Sequence, residues 1–175
     1  MGRSGTDNTP TRGTLGQLNF VNTTGVIDVT RLSVGEAGNN ANGYLLYVGG
    51  TNVIKADFLN IGTDGGQGQL TLSNNAVVTI GANSLRVGSG NSAGGQATGL
   101  VQVLPGSRVL SVYVTNSPSF AATSGNKYLV NLGDMQGANL TFALTSDDGA
   151  HFGNGVFTVT NANFVVNTSA TFSPS

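Results

Sequence analysis

Three short apolar elements recur in one fixed order between Leu18 and Val112, and a chain built on such a repeat has few folds open to it. The first element is an apolar-x-apolar strand after a glycine: Leu18-Asn19-Phe20, Leu45-Leu46-Tyr47, Leu70-Thr71-Leu72 and Val101-Gln102-Val103, following Gly16, Gly43, Gly68 and Gly99. The second is Leu-x-(Val/Ile)-Gly, present as Leu32-Ser33-Val34-Gly35, Leu59-Asn60-Ile61-Gly62 and Leu85-Arg86-Val87-Gly88, at spacings of 27 and 26 residues. The third comprises Val26-Ile27-Asp28-Val29, Val53-Ile54-Lys55-Ala56, Val77-Val78-Thr79-Ile80 and Val109-Leu110-Ser111-Val112. Each element alternates apolar and polar residues, so each reads as a strand with one apolar face. A single coil of three such strands cannot bury that face. Stacking a second coil on the first buries it and pairs the backbone along the axis.

The fold expected is therefore all-β, a parallel β-helix (β-solenoid) of about four coils of about 26 residues. Its interior would hold Leu18, Phe20, Leu32, Val34, Leu45, Tyr47, Leu59, Ile61, Leu70, Leu72, Leu85, Val87, Val101 and Val103. The glycine closing each Leu-x-(Val/Ile)-Gly element suits a sharp corner, where a positive φ is cheap only without a Cβ. Length variation gathers in Glu36–Asn42, Thr63–Gln67 and Ser89–Thr98, which places these loops on one side of the solenoid. Loops carry specificity in solenoids, but these hold no aromatic and no convergent polar set, and they read first as turns.

Composition narrows the partners. Net charge is −1, and the seven Lys and Arg residues are scattered with no two adjacent, which argues against a nucleic-acid partner. No apolar run approaches the roughly 18 residues of a membrane helix, and no membrane insertion is expected. Cysteine is absent, so disulfides and thiolate metal sites are excluded. The segment Met1–Gly13 is polar, without the apolar stretch of an export signal.

The run Leu59-Asn60-Ile61-Gly62-Thr63-Asp64-Gly65-Gly66-Gln67-Gly68-Gln69-Leu70-Thr71-Leu72-Ser73 resembles the repeats of autotransporter-type passenger domains and related bacterial surface proteins. Those repeats join a strand ending in Ile/Val-Gly, a glycine-rich turn, and a Gly-x-Leu-Thr-Val/Leu-Ser strand. The likeness is best from Leu59 to Val112 and weaker from Leu18 to Ala56. It implies a right-handed parallel β-helix acting as adhesin, surface coat or presentation shaft. The export signal and membrane-anchoring C-terminal unit of those families have no counterpart here.

After Val114 the pattern changes. Asn116-Ser117-Pro118-Ser119 reads as a break, because proline cannot donate to a ladder. Alternating runs follow at Tyr128–Leu132, Leu140–Leu144, Val156–Val159 and Phe164–Val166. Leu140–Val159, with Asp147-Asp148-Gly149 between its halves, reads as an antiparallel hairpin. The expected organisation is a polar arm over 1–13, solenoid repeats over 14–114, and a C-terminal antiparallel β cap or assembly segment over 115–175. Phe142, Phe152, Phe157 and Phe164 are the expected assembly contacts. The alternative is further coils whose pattern has decayed.

Chemistry is sparsely signalled. His151 follows Asp147 and Asp148, but a metal site needs three or four convergent ligands, and the loop reads as solvated. Gly65-Gly66-Gln67-Gly68-Gln69-Leu70 has leucine where a calcium-binding β-roll repeat needs aspartate. Gly88-Ser89-Gly90 and Gly94-Gly95 lack the lysine and helix of a phosphate loop. Asp28, Asp57 and Asp64 do not fall at equivalent positions of successive coils, whereas Asp28 and Lys55 do and read as an external charge pair. No regular Thr-x-Thr ladder runs through the repeats, and Thr158-Val159-Thr160 lies outside them. No catalytic residue, metal or cofactor is expected. The expected function is a non-catalytic structural or adhesive surface protein, extracellular or at the cell surface, that self-associates as fibre, coat or filament subunit. A surface glycan or host surface would be a further partner. A virion fibre or capsid-decorating protein and a carbohydrate-active β-helix are the alternatives.

Overall fold

The computed structural model describes residues 14–36, 41–90, 95–116, 118–121, 125–144 and 151–168. Their strands are β1 (Thr14–Glu36), β2 (Ala41–Thr63), β3 (Gln67–Ser73), β4 (Val77–Ser89), β5 (Thr98–Val103), β6 (Arg108–Val114), β7 (Ser119–Phe120), β8 (Lys127–Asp134), β9 (Asn139–Leu144), β10 (His151–Phe152), β11 (Gly155–Thr160) and β12 (Asn163–Thr168). Every pairing among them is parallel, and each strand lies on the strand one coil earlier. The result is a β-solenoid of about five turns. Three faces run along it. One carries the start of β1 and β2, then β3, β5, β8 and β11. The next carries the middle of β1 and β2, the first half of β4, then β6, β9 and β12. The third carries the ends of β1, β2 and β4, then β7 and β10.

Alternation within each strand sends every second side chain inward, and register stacks these into continuous rows. On the first face the row is Leu18, Leu45, Leu70, Val101, Val130 and Phe157. On the second it is Ile27, Ile54, Ile80, Val112, Leu140 and Phe164. On the third it is Val34, Ile61, Val87, Phe120 and Phe152. Of the fourteen expected interior residues, all from Val34 onward in the chain are buried. Phe20 and Leu32 are partly buried against the core. Leu18, in the strand that among the described residues has a neighbour on one side only, is the exception at 39% exposed.

The corner after the third face is set by glycine. Gly35, Gly62 and Gly88 stack at φ of +67°, +61° and +61°. A Cβ on Gly62 would run into the backbone carbonyl of Thr98, and one on Gly35 into that of Gln67. The corner is thus closed twice over, by backbone conformation and by close approach of the next strand. Buried Asn126 holds the same corner further along, accepting from the Ala97 N–H at 2.9 Å and donating to the Gly90 carbonyl at 3.0 Å.

Two expectations are corrected. The runs after Val114 form no antiparallel hairpin: β11 lies parallel on β8 and β12 parallel on β9, so Leu140–Leu144 and Val156–Val159 belong to different faces. Strands β8 and β9 themselves pair in register with β5 and β6, carrying the sheet across the expected boundary at 114/115. The pattern changes because its punctuation is replaced. Tyr128 takes the place of Gly43, Gly68 and Gly99, and Ala121, at φ +44°, that of Gly88. The second correction is a register slip. Val53 pairs with Thr79 and Lys55 with Gly81, two residues from the alignment of Val53–Ala56 with Val77–Ile80.

Gly62→Ala should destabilise the fold by about 2 kcal/mol or more, read from the urea midpoint. Gly137, at φ +81° with open space around its Cβ position, isolates the conformational part. Gly137→Ala should cost only about 1 kcal/mol. Equal losses in the two variants would refute the close-approach argument.

Candidate functional site

The four phenylalanines expected as assembly contacts are gathered at one end of the lumen. Phe120, absent from that expectation, is their hub: it stacks on Phe152 at 5.0 Å between centroids and meets Phe157 edge-on at 5.5 Å. Phe142 meets Phe157 and Phe164 edge-on, at 6.3 and 5.8 Å. Edge-to-face contacts of this kind add to the burial of the rings themselves. Phe142 is only 2% exposed, so it is a core residue and not a contact surface; the bulk of the surrounding rings encloses it. Phe157 packs against the core, whereas Phe152 and Phe164 remain 50% and 56% exposed.

On the outside, a groove of about 450 Å3 follows the corner between the second and third faces. One of its rows is Asp28, Lys55, Gly81 and Tyr113, four outward positions in parallel register. The other is Thr30, Asp57, Asn83 and Thr115. Here Asn83 Nδ2 donates to Asp57 Oδ1 at 2.7 Å, and the Thr115 hydroxyl donates to Asn83 Oδ1 at 3.0 Å. Val29, Ala56 and Ala82 lie between the rows. Lys55 Nζ stands 3.9 Å from Asp28 Oδ2 with both side chains largely in water, an external pair of little energetic weight. Tyr113 is half exposed. An aromatic face, an amine, a carboxylate, an amide and a hydroxyl thus share one trough.

The register slip hid this groove from sequence reading. With Thr79 set beside Lys55 the outward row looks filled, and only the true pairing with Gly81 opens it. A glycine inside a strand, away from any turn, was the available signal.

At the variable corner the described ends of the three segments are in register, Glu36 with Thr63 and Ser89 on one side of the corner and Asn42 with Gln67 and Thr98 on the other, while residues 37–40 and 91–94 lie outside the described residues. Arg31 bonds Glu36 at 3.0 Å and lies 5.1 Å over the Phe58 ring; Arg86 and Asp64 approach to 3.6 Å. Asp147 and Asp148 lie outside the described residues. His151 belongs to β10, paired with Ser119. Among the described residues no three His, Cys, Asp or Glu side chains converge as a metal site. In comparisons with known proteins, no family model, no curated protein and no solved structure matches this chain.

Three buried polar atoms have no hydrogen-bond partner among the described residues: Tyr47 Oη, Asn60 Oδ1 and Thr63 Oγ1. Tyr47 stands in the lumen, its ring stacked 5.0 Å from Phe20. Burial pushes its phenol from an ordinary 10.0 up to about 12, because the phenolate would lose its hydration there. The folded value exceeds the unfolded one, so this contribution to stability is complete below pH 10 and is lost as the pH rises through about 12. Tyr47→Phe removes the orphaned hydroxyl. It should hold or raise stability at pH 7, by up to about 1 kcal/mol. It should also flatten the fall in urea midpoint between pH 10 and 12. A substantial loss of stability at pH 7 would mean that the hydroxyl has a partner.

Proposed function

We propose that the chain is a non-catalytic structural or adhesive surface protein that assembles head to tail into a filament. The observation that carries this reading is the match between the two ends. Among the described residues β1 pairs only with β2, while β11 and β12 pair only with β8 and β9. The lumen rows are continuous from one end to the other. A second copy laid on β11 and β12 would therefore set Phe157 against Leu18 and Phe164 against Ile27. Leu18 and Phe164, at the two ends, are both substantially exposed. The strands of both ends run in the same sense, so parallel pairing is satisfied only head to tail, and a heterologous contact that does not close grows without limit. The passenger-like repeat from Leu59 to Ser73 supports a surface setting for such a shaft.

Light scattering after size exclusion, with electron microscopy, tests the assembly. The wild-type chain should form filaments or a concentration-dependent ladder of oligomers. Leu18→Asp and Phe164→Asp each place a charge in one end row and should each be monomeric. Mixed one to one, each variant supplies the end that the other lacks, and heterodimers should form. Circular dichroism of each variant guards against simple unfolding. A wild-type monomer at high concentration, or homodimers persisting in either variant, would refute head-to-tail stacking.

A further inference from the structure

The groove beside Tyr113 has a feature that the fold itself does not require. Gly81 lies inside β4 between the outward positions of Lys55 and Tyr113. It is not among the glycines of positive φ, and a Cβ there would meet nothing nearer than the Ile54 carbonyl oxygen at 3.8 Å, an ordinary contact. Neither conformation nor space calls for glycine, unlike at Gly62. In a strand interior glycine costs stability and marks places where a ligand or another backbone comes close. Its effect here is a slot. Lys55 and Tyr113 stand two strand spacings apart, roughly 9–10 Å, with no side chain between them.

We infer that this slot binds one ring of a neutral saccharide. The half-exposed Tyr113 ring offers a flat apolar platform for the C–H face of a pyranose. The Asp57–Asn83–Thr115 chain opposite is linked by its own hydrogen bonds at 2.7 and 3.0 Å. It keeps acceptor capacity on the Asp57 carboxylate and donor capacity on the Asn83 amide for adjacent hydroxyls, and such charge-assisted bonds are the strong ones. Lys55 can donate from the side. Asp28 and Asp57 set two carboxylates against that one amine, so the trough is net negative and disfavours uronic or sialic acids. The mixture of one apolar face with a few fixed polar groups is that of a small-ligand site. This deepens the adhesive side of the proposed function and stands on different residues from the assembly contact.

The test is an array of immobilised neutral hexose and N-acetylhexosamine oligosaccharides, with sialylated and uronic glycans beside them. Hits are then titrated calorimetrically as free oligosaccharides. The wild-type chain should bind at least one neutral glycan and prefer it over acidic ones. Tyr113→Ala should weaken binding by about tenfold or more, and Tyr113→Phe should retain it. Gly81→Leu should abolish binding while holding or raising the melting temperature, since the backbone accepts a Cβ there. The monomeric Phe164→Asp variant should bind with unchanged intrinsic affinity, which separates failure of this inference from failure of the filament reading. No binding to any neutral glycan, a preference for acidic ones, or binding that survives both Gly81→Leu and Tyr113→Ala would overturn it.

Discussion

Register between successive coils is the constraint on which the rest of this molecule depends. No coil has an inside of its own; the rows of apolar side chains are buried by apolar residues at the same positions one turn away. The pairing Leu45 to Leu70 to Val101, or Ile54 to Ile80 to Val112, is what turns isolated strands into a core. Register in turn is held at the corner where Gly35, Gly62 and Gly88 let one strand turn against the carbonyl of the next. A one-residue slip would put every lumen residue outside. Buried Asn52 shows how a polar residue is accommodated between coils: its side chain is tied to Thr23 through both the hydroxyl and the backbone carbonyl.

Much of this was legible because the second element carries two signals at once. Leu-x-(Val/Ile)-Gly marks both an inward pair and the corner that follows it, and the three copies fell where the register puts them. The third element carries no glycine, and its apolar residues run together as Val53-Ile54 and Val77-Val78. Two alignments two residues apart keep the same alternation, so the pattern alone could not choose between them. The last third misled for the opposite reason. Its strands alternate as well as any, but tyrosine and alanine stand where glycine punctuated the earlier coils. A chain without its punctuation reads as a hairpin, although it continues to wind.

The candidate site was less legible than the fold, for a physical reason. A solenoid's outer surface is assembled from residues about one coil apart in sequence, so Lys55, Gly81 and Tyr113 become neighbours only through register. Nothing local marks them. The lumen tolerates substitution among valine, isoleucine and leucine along a row, whereas the outer rows differ from coil to coil. The aromatic end shows the same logic inside: the rows widen from aliphatic residues to Phe120, Phe142 and Phe157, and the rings fill the lumen by meeting edge-on.

The pairing distances have a consequence for how the chain finds its structure. Among the described residues the shortest step between partners is 24 residues, from Asn139 to Asn163, and the longest is 33, from Arg86 to Ser119. Each of these pairings is reached within one turn of the chain. The entropy of loop closure is therefore much the same at every step and does not grow with the total length of the chain. Assembly can begin at any adjacent pair of coils and spread to both sides. Lengthening such a molecule by a coil multiplies its surface without making its folding problem harder.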